Sequence, residues 1–489
     1  MTFWRGILLG AVGVLGLGAL GAVAFGRPLV KAAMGRMLKR VLTDRYDRNL
    51  FEGYTMLQQR PPRLQVEIAL RAQAGKPLSR PWGTPKRFLH LDNLMFVPAQ
   101  LAQLPTPDAT PVETRTLIGP HAPRPLELGI PILISGMAYG LSLTGAAKLA
   151  LARGASLAET ATNSGEGGFF PAERKGATRY ILQYTRGGWP SDPELLRQAD
   201  AIEIQAGQGA QAGSRQSTPA HQLRDEYRQA LGLPQGQAAV IHSRFPGVDQ
   251  PEDFRPLVQR LRDQAGGIPV GIKFAAGHRL EADLQVALDA GVDFVTIDGA
   301  QAASHGGAPL TEDDFGIPTL MAVARAGRFL AEAGAKGRVS LIVSGGLSTP
   351  GEFLKCLALG ADACAIGTAA VLAMCHTQIA KVLPEAAPTE LIWHDGRYTE
   401  RFDVDAAARD LTGYLHSCAG EMVIGARCLG RTRLQDVQRA DLCALDPETA
   451  AVCGVPLAWH PWGEPAPGTA PEPPAWAVPG RAATPPPVH

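Results

Sequence analysis

Between residues 130 and 366 the chain repeats one pattern: a short apolar run, a polar or glycine-ended turn, then a stretch with helical spacing. The runs are 130–135 (IPILIS), 155–161 (ASLAETA), 200–205 (DAIEIQ), 238–242 (AAVIH), 268–274 (IPVGIKF), 293–297 (DFVTI), 339–343 (VSLIV) and 363–366 (ACAI). Helical patterns separate most of them, for example 144–153, 252–264 and 319–334. Strands that alternate with helices pair in parallel. Eight evenly spaced units predict an α/β fold, a closed (β/α)8 TIM barrel rather than an open doubly wound sheet. In such a barrel the active site lies at the C-terminal ends of the strands.

The ends of the runs say what that site holds. The last two finish in bare backbone, Ser344-Gly345-Gly346 and Gly367-Thr368. In many barrels the loops after strands 7 and 8 bind a phosphate through backbone N–H groups and a helix N-terminus. Glycine lets the backbone approach closely. Other run ends carry Met137-Ala138-Tyr139-Gly140, Asn163-Ser164-Gly165-Glu166 and Gly207-Gln208-Gly209. Lys273 sits inside VGIKF, Asp298 ends the sixth run, and Gln301 and His305 follow. A lysine buried without a partner is costly. At a strand end it can face an anionic ring such as a reduced flavin, whose N1/C2=O edge carries the charge. An ion pair with Asp298 is the competing reading for Lys273.

Net charge is +1, so no global field draws in nucleic acid. The seven cysteines are odd in number and contain no CxxC, which argues against a disulfide framework and for a reducing compartment. Nor is there local support for iron–sulfur ligation. Gly6–Gly26 carries no charge over 21 residues, enough to cross a bilayer core. Its GxGxxG at 16–21 has no strand before it and no acid about 20 residues later, so it does not read as a nucleotide site. Gly6 and Gly10 are spaced for helix–helix contact, and self-association into a homo-oligomer is the expectation. Ala22-Val-Ala24 resembles a signal-peptide cleavage site. Against cleavage, only Arg5 precedes the span, whereas Arg27, Lys31, Arg36, Lys39 and Arg40 follow it. That bias predicts a single-pass anchor in the cytoplasmic (inner) membrane, with the barrel in the cytoplasm.

Several stretches resemble a known family. NSGEGG at 163–168, GQGAQAG at 207–213, IKF at 272–274, SGGLSTPGEFLKCLALGADACAIGT from Ser344 and AMCH at 373–376 occur in the same order as in the FMN-binding synthase domain of the glutamate synthase large subunit. The likeness runs from about 110 to 376. It implies a barrel holding FMN, with the phosphate on Ser344, Gly345, Gly346, Gly367 and Thr368. The ring would lie against Met137, Ala138, Gly140, Asn163, Gln183 and Lys273. Lys273, Glu166 and Asp298 would be catalytic, and Gln208, Gln211, Arg215 and His305 would meet the substrate. The reaction implied is reductive amination of a 2-oxo acid to an amino acid, as in glutamate biosynthesis.

Two departures stand out. The family has a lysine at the position of Gln211, which helps hold the 2-oxoglutarate carboxylate; here Arg215 could substitute for it. The family's three-iron cluster uses cysteines five and ten residues after the one matching Cys375, and those positions are Ala380 and Glu385. A [3Fe-4S] cluster is therefore expected to be absent, and the apolar span at Gly6–Gly26 gives the expectation that no N-terminal glutaminase domain is present. An amine–glutamate transferase-like enzyme, or a non-catalytic flavin subunit of a membrane complex, are the alternatives. No nucleotide-binding domain is legible, so electrons would come from a separate donor protein.

The expected organisation is an anchor at 1–27, a basic helix and Pro-containing cap at 28–105, the barrel at 106–380, and a partly helical extension at 381–455. A disordered tail at 456–489 follows, since nine of the last 27 residues are proline.

Overall fold

The computed structural model describes residues 28–190, 192–304 and 306–461. The anchor read at Gly6–Gly26, His305 and residues 462–489 lie outside them; the tail expected from 456 begins later, because Leu457 is buried and bridges Ala444. No described helix is long and apolar enough to cross a membrane. The chain divides into two compact units between Leu78 and Ser79. The first contains helices at 28–43, Phe51–Gln59 and Pro62–Ala74, the last closed by Gly75 in the left-handed region at φ 59°.

The second unit is built on eight parallel strands: β1 (Ile132–Ile134), β2 (Thr162–Asn163), β3 (Tyr180–Tyr184), β4 (Ala201–Gln205), β5 (Val270–Ala275), β6 (Phe294–Asp298), β7 (Ser340–Ser344) and β8 (Ala363–Ile366). They pair in sequence order, and β8 returns to β1. The ring closes where the Ile134 N–H donates to Ala161 O at 2.9 Å, just before β2. Between and after the strands run α1 (Gly145–Leu157), α2 (Pro171–Gly176), α3 (Pro193–Leu196), α4 (Phe254–Ala265), α5 (Leu280–Ala290), α6 (Thr319–Glu332), α7 (Pro350–Ala358) and α8 (Thr368–Cys375). β4, β6 and β7 are buried on both faces, as strands of a helix-covered parallel sheet must be.

The barrel is a packed core. Leu133, Ile181, Ala201, Phe294, Ile342 and Ala363 fill its lower part with Ile118, Leu126 and Leu128 of the hairpin Thr116–Ile118/Leu126–Leu128. That hairpin plugs the N-terminal end: the Gly119 N–H donates to Ser340 Oγ at 3.0 Å. Gly271 makes room for the Phe294 ring, because a Cβ there would lie 2.4 Å from it. With the bottom stoppered, ligand access to the barrel interior is from the C-terminal end, where the described residues form a cavity.

Eight strands were expected and eight form, but two memberships change. The run 155–161 is not a strand. Its Ala and Leu residues prolong α1 to Leu157, the chain turns at Glu159 with φ 55°, and β2 starts only at Thr162. The run 238–242 is not in the barrel either. Ala239–Ile241 pairs antiparallel with Gln216–Thr218, forming a hairpin in the long loop after β4. The missing barrel strand is β3, where Gln183 interrupts the apolar pattern by pointing inward to a hydrogen-bond partner.

After the barrel, α9 (Val404–Cys428) packs along α1. The approach is close at Gly154, where a Cβ would meet Leu411 at 2.8 Å. The strand Leu94–Phe96 pairs antiparallel with Leu442–Ala444, joining the two ends of this unit.

Candidate active site

At the C-terminal end of the barrel lies a cavity of about 830 Å³. Three sets of residues shape it: a glycine cradle, a charged floor and a polar wall.

The cradle comes from β7 and β8. Ser344, Gly345, Gly346, Gly367 and Thr368 all line the cavity. Gly345 (φ 126°) and Gly346 (φ 73°) adopt backbone conformations that side chains rarely take. A Cβ on Gly345 would lie 2.5 Å from Thr319 Oγ1, and one on Gly346 would lie 2.8 Å from Gln301 Cβ. Gly367 differs: it precedes the first turn of α8, and a Cβ there would meet nothing within 4 Å. The free N–H groups of that turn and the helix dipole favour an anion.

The floor is charged. Lys273 is 2% exposed, and its Nζ lies 3.3 Å from Asp298 Oδ1 and 3.4 Å from Ser135 Oγ. Burial pushes its pKa down, but Asp298, Glu203 and Glu166 more than offset this, so the net shift is upward and the ammonium persists. The ion pair with Asp298 read from the sequence is present, and Lys273 also lines the cavity. The other Asp298 oxygen accepts from the Gly209 N–H at 3.1 Å, which fixes the loop after β4.

Glu166 lines the cavity on the loop after β2. Its carboxylate accepts from Gln205 Nε2 and Gln208 Nε2, each at 3.1 Å. Burial raises its pKa above the usual carboxylate value, with Arg186, Gln211, Lys273 and Gln208 pulling part of the way back. A buried carboxylate whose proton comes off nearer neutrality is suited to acid–base work. Arg215 also lines the cavity; it is exposed, and no carboxylate pairs with it among the described residues.

Not every expected residue reaches the cavity wall. Gly140 packs under Tyr227, where a Cβ would lie 2.5 Å from the ring. Asn163 and Gln183 lie beneath Gly136, each donating to Glu203 Oε1 at 2.8 Å. Gln211 is buried behind the wall and donates to Ser304 Oγ. Met137, Ala138 and Gln208 do line the cavity.

Four residues of this end escaped the sequence reading. Glu203 on β4 collects Asn163, Gln183 and, at 2.7 Å, the Thr296 hydroxyl. A glutamate inside the run AIEIQ was the available signal. Lys148 on α1 is fully buried, 2.8 Å from Glu173. It also donates to Met137 O at 2.7 Å, Asn163 O at 2.9 Å and Ser164 O at 3.2 Å, tying the loops after β1 and β2 together. Burial pushes its pKa down and Glu173 pulls it back in part. Arg186, after β3, is wholly buried and donates to Gln205 Oε1 at 3.2 Å, behind Glu166. His394, from beyond the barrel, lines the cavity. Cys375 is buried at the end of α8, and burial pushes its thiol up to about 12.

A glycine cradle over β7 and β8, facing a buried lysine and a buried carboxylate, places the site of a barrel enzyme at this end. Residues 85–430 match the conserved region in glutamate synthase, and the chain belongs to that family. It is 34% identical to a glutamate synthase large subunit-like protein of Rhizobium meliloti, over 84% of this chain and 95% of that one. It is 31% identical to the archaeal-type glutamate synthase [NADPH] of Thermotoga maritima, over 64% of this chain and 61% of that protein's length. Among solved structures, a flavocytochrome b2 variant aligns with a TM-score of 0.46 at 17% identity, covering 73% of this chain and 77% of that one.

Proposed function

We propose that the chain is an FMN-dependent oxidoreductase that converts a 2-oxo acid and ammonia to an amino acid. Family membership makes it an oxidoreductase of the glutamate synthase type. The observation that carries the cofactor is the cradle: three glycines around one anion site, with Lys273 on the floor of the same cavity. Ser344 to Gly346 and the first turn of α8 would hold the phosphate. Met137, Ala138 and Lys273 would meet the ring, and the bound FMN would supply the two-electron carrier.

The remaining steps belong to this chain's residues. Arg215 holds the substrate carboxylate at the wall. The Glu166 carboxylate takes a proton from ammonium, and the ammonia adds to the 2-oxo carbon. Glu166 returns that proton to the departing hydroxyl, which leaves as water. The resulting iminium accepts a hydride at carbon and becomes the amino acid, which takes up a solvent proton. Burial of Glu166 and Asp298 keeps the proton path out of bulk water.

The test is anaerobic. FMN-loaded protein is photoreduced and mixed with 2-oxoglutarate plus ammonium or glutamine. Reoxidation with formation of glutamate is expected; a flavin that stays reduced with both nitrogen sources refutes the reaction. Release of FAD instead of FMN on denaturation refutes the cofactor, because a single phosphate cradle leaves an adenylate half unbound.

Lys273→Met should lower the flavin midpoint potential. A unit charge about 4 Å away contributes roughly 4 kcal/mol at an effective dielectric of 20, before desolvation is subtracted. A net loss of about 1–2 kcal/mol in the reduced state corresponds to a fall of roughly 20–45 mV for a two-electron couple. Sulfite addition to the flavin should weaken in parallel. An unchanged potential and sulfite affinity would confine Lys273 to its ion pair with Asp298.

We also propose that Gly6–Gly26 anchors the chain in a membrane with the barrel on the cytoplasmic side. The uncharged length and the basic residues that follow it support this. Full-length protein should stay with membranes through alkaline carbonate washing; release into the wash would refute it.

A further inference from the structure

The segment after the barrel contributes to the cavity as well as to the outer packing. Glu390–Tyr398 closes into a tight loop. The Tyr398 N–H donates to Glu390 O at 3.2 Å, the Gly396 N–H to Trp393 O at 2.9 Å, and the Arg397 N–H to the Glu390 carboxylate at 2.9 Å. A Cβ on Gly396 would lie 2.4 Å from Glu390 O, so this closure needs glycine. The loop is sewn to the β1–α1 connection by two further bonds, Thr144 N–H to Ile392 O and His394 N–H to Ser142 O, both at 2.9 Å. These bonds set the His394 backbone rigidly at the cavity.

His394 is 7% exposed and forms part of the cavity wall. Its ring meets the edge of the Tyr227 ring, with centroids 6.1 Å apart at 85°. Tyr227 is itself held against Gly140, and Arg224 lies over its face at 5.9 Å. No carboxylate pairs with Arg224 among the described residues. The charged and titratable groups around His394 include Arg224, Glu226 and Tyr227 on one side and Asp395 within its own loop. Burial lowers the imidazole pKa below its usual value, Asp395 pulls it back in part, and Arg224 adds to the lowering. These surroundings favour the neutral ring, and an arriving anion favours its protonation.

We propose that His394 is a substrate-contacting residue that donates a hydrogen bond to a carboxylate of the bound 2-oxo acid. This rests on the reading above that a carboxylate substrate enters the cavity. Arg215 reaches the same cavity from the loop after β4, so the substrate meets a permanent cation from that loop and a conditional one from the Glu390–Tyr398 loop. The arrangement also gives a role to the stretch just after Ala380 and Glu385, where the family resemblance would have placed cluster cysteines.

The probe is 2-oxoglutarate, titrated into oxidised, FMN-loaded full-length protein between pH 6 and 8. Its own carboxylates do not titrate in that range. The dissociation constant should rise with pH, by up to about tenfold per unit between the free and bound imidazole pKa values. Calorimetry in two buffers of different ionisation enthalpy should register proton uptake on binding. His394→Gln should weaken binding at pH 6 by roughly tenfold or more and flatten the pH dependence, with FMN content and melting temperature unchanged. A flat profile in the unaltered protein overturns the proposal without reference to any variant. So does a His394→Gln protein with the original affinity and slope. Failure of 2-oxoglutarate to bind at pH 6 while FMN is retained overturns it too, and leaves the cofactor assignment standing.

Discussion

Gly367→Leu is expected to yield a folded barrel that no longer retains FMN. The three cradle glycines are not equivalent. At Gly345 and Gly346 a side chain would be strained by φ values of 126° and 73° and would strike Thr319 and Gln301, so a loss of cofactor there could reflect a damaged loop. Gly367 has φ −113°, which any residue adopts, and open space where a Cβ would stand. A leucine fits the backbone and projects at the wall where the phosphate is placed. Hydrogen bonds to a charged group contribute about 1.5–3 kcal/mol each, so losing two lowers affinity by roughly 10²–10⁴-fold. FMN fluorescence titration of the apoprotein measures this, and the melting temperature reports the fold. Normal FMN binding by this variant would place the phosphate elsewhere.

Glu166→Gln should lower turnover by roughly 10²–10⁴-fold, the range associated with a positioned acid–base group. The amide is isosteric and keeps an acceptor for Gln205 or Gln208, so FMN binding and the flavin potential should change little. The pH profile separates this role from a packing role. Burial raises the Glu166 pKa, and the reaction starts from its deprotonated form. The rate with ammonium should therefore climb as pH rises through a value above the ordinary carboxylate range, and that limb should vanish in the variant. A variant that keeps the limb would assign the proton transfer to another group.

The part of the fold that the sequence discloses is the half from β5 to β8. β6, β7 and β8 are buried on both faces and end at Asp298, at Ser344 and before Gly367, so period and boundary agree, and β5 is apolar apart from Lys273. The first half obscures itself. β2 is two residues long and follows a helix whose alanines continue without a break. β3 carries Gln183 inward, toward a carboxylate on the next strand that only the closed barrel brings near. The hairpin strand Ala239–Ile241 has the same composition as a barrel strand, and nothing local separates an edge-paired apolar run from a central one.

The site divides the same way. Lys273 and Asp298 could be read because charge at the end of an apolar strand is anomalous. Lys148 could not, since a lysine in GAAKLALAR looks like any solvated helix residue until the carbonyls of two distant loops surround it. His394 offered no signal at all, because its place depends on a loop folding back across the barrel mouth.

The pairing of Leu94–Phe96 with Leu442–Ala444 has a consequence for how this protein is made. Met95 and Cys443 are 348 residues apart, so the early strand leaves the ribosome long before its mate exists. The barrel strands between them can assemble in order as they emerge, but the seam that joins the two ends is sewn last. Until then Leu94–Phe96 is an open edge, available to the wrong partner. A nascent chain stalled anywhere before residue 442 therefore carries Leu94–Phe96 as an unmated edge.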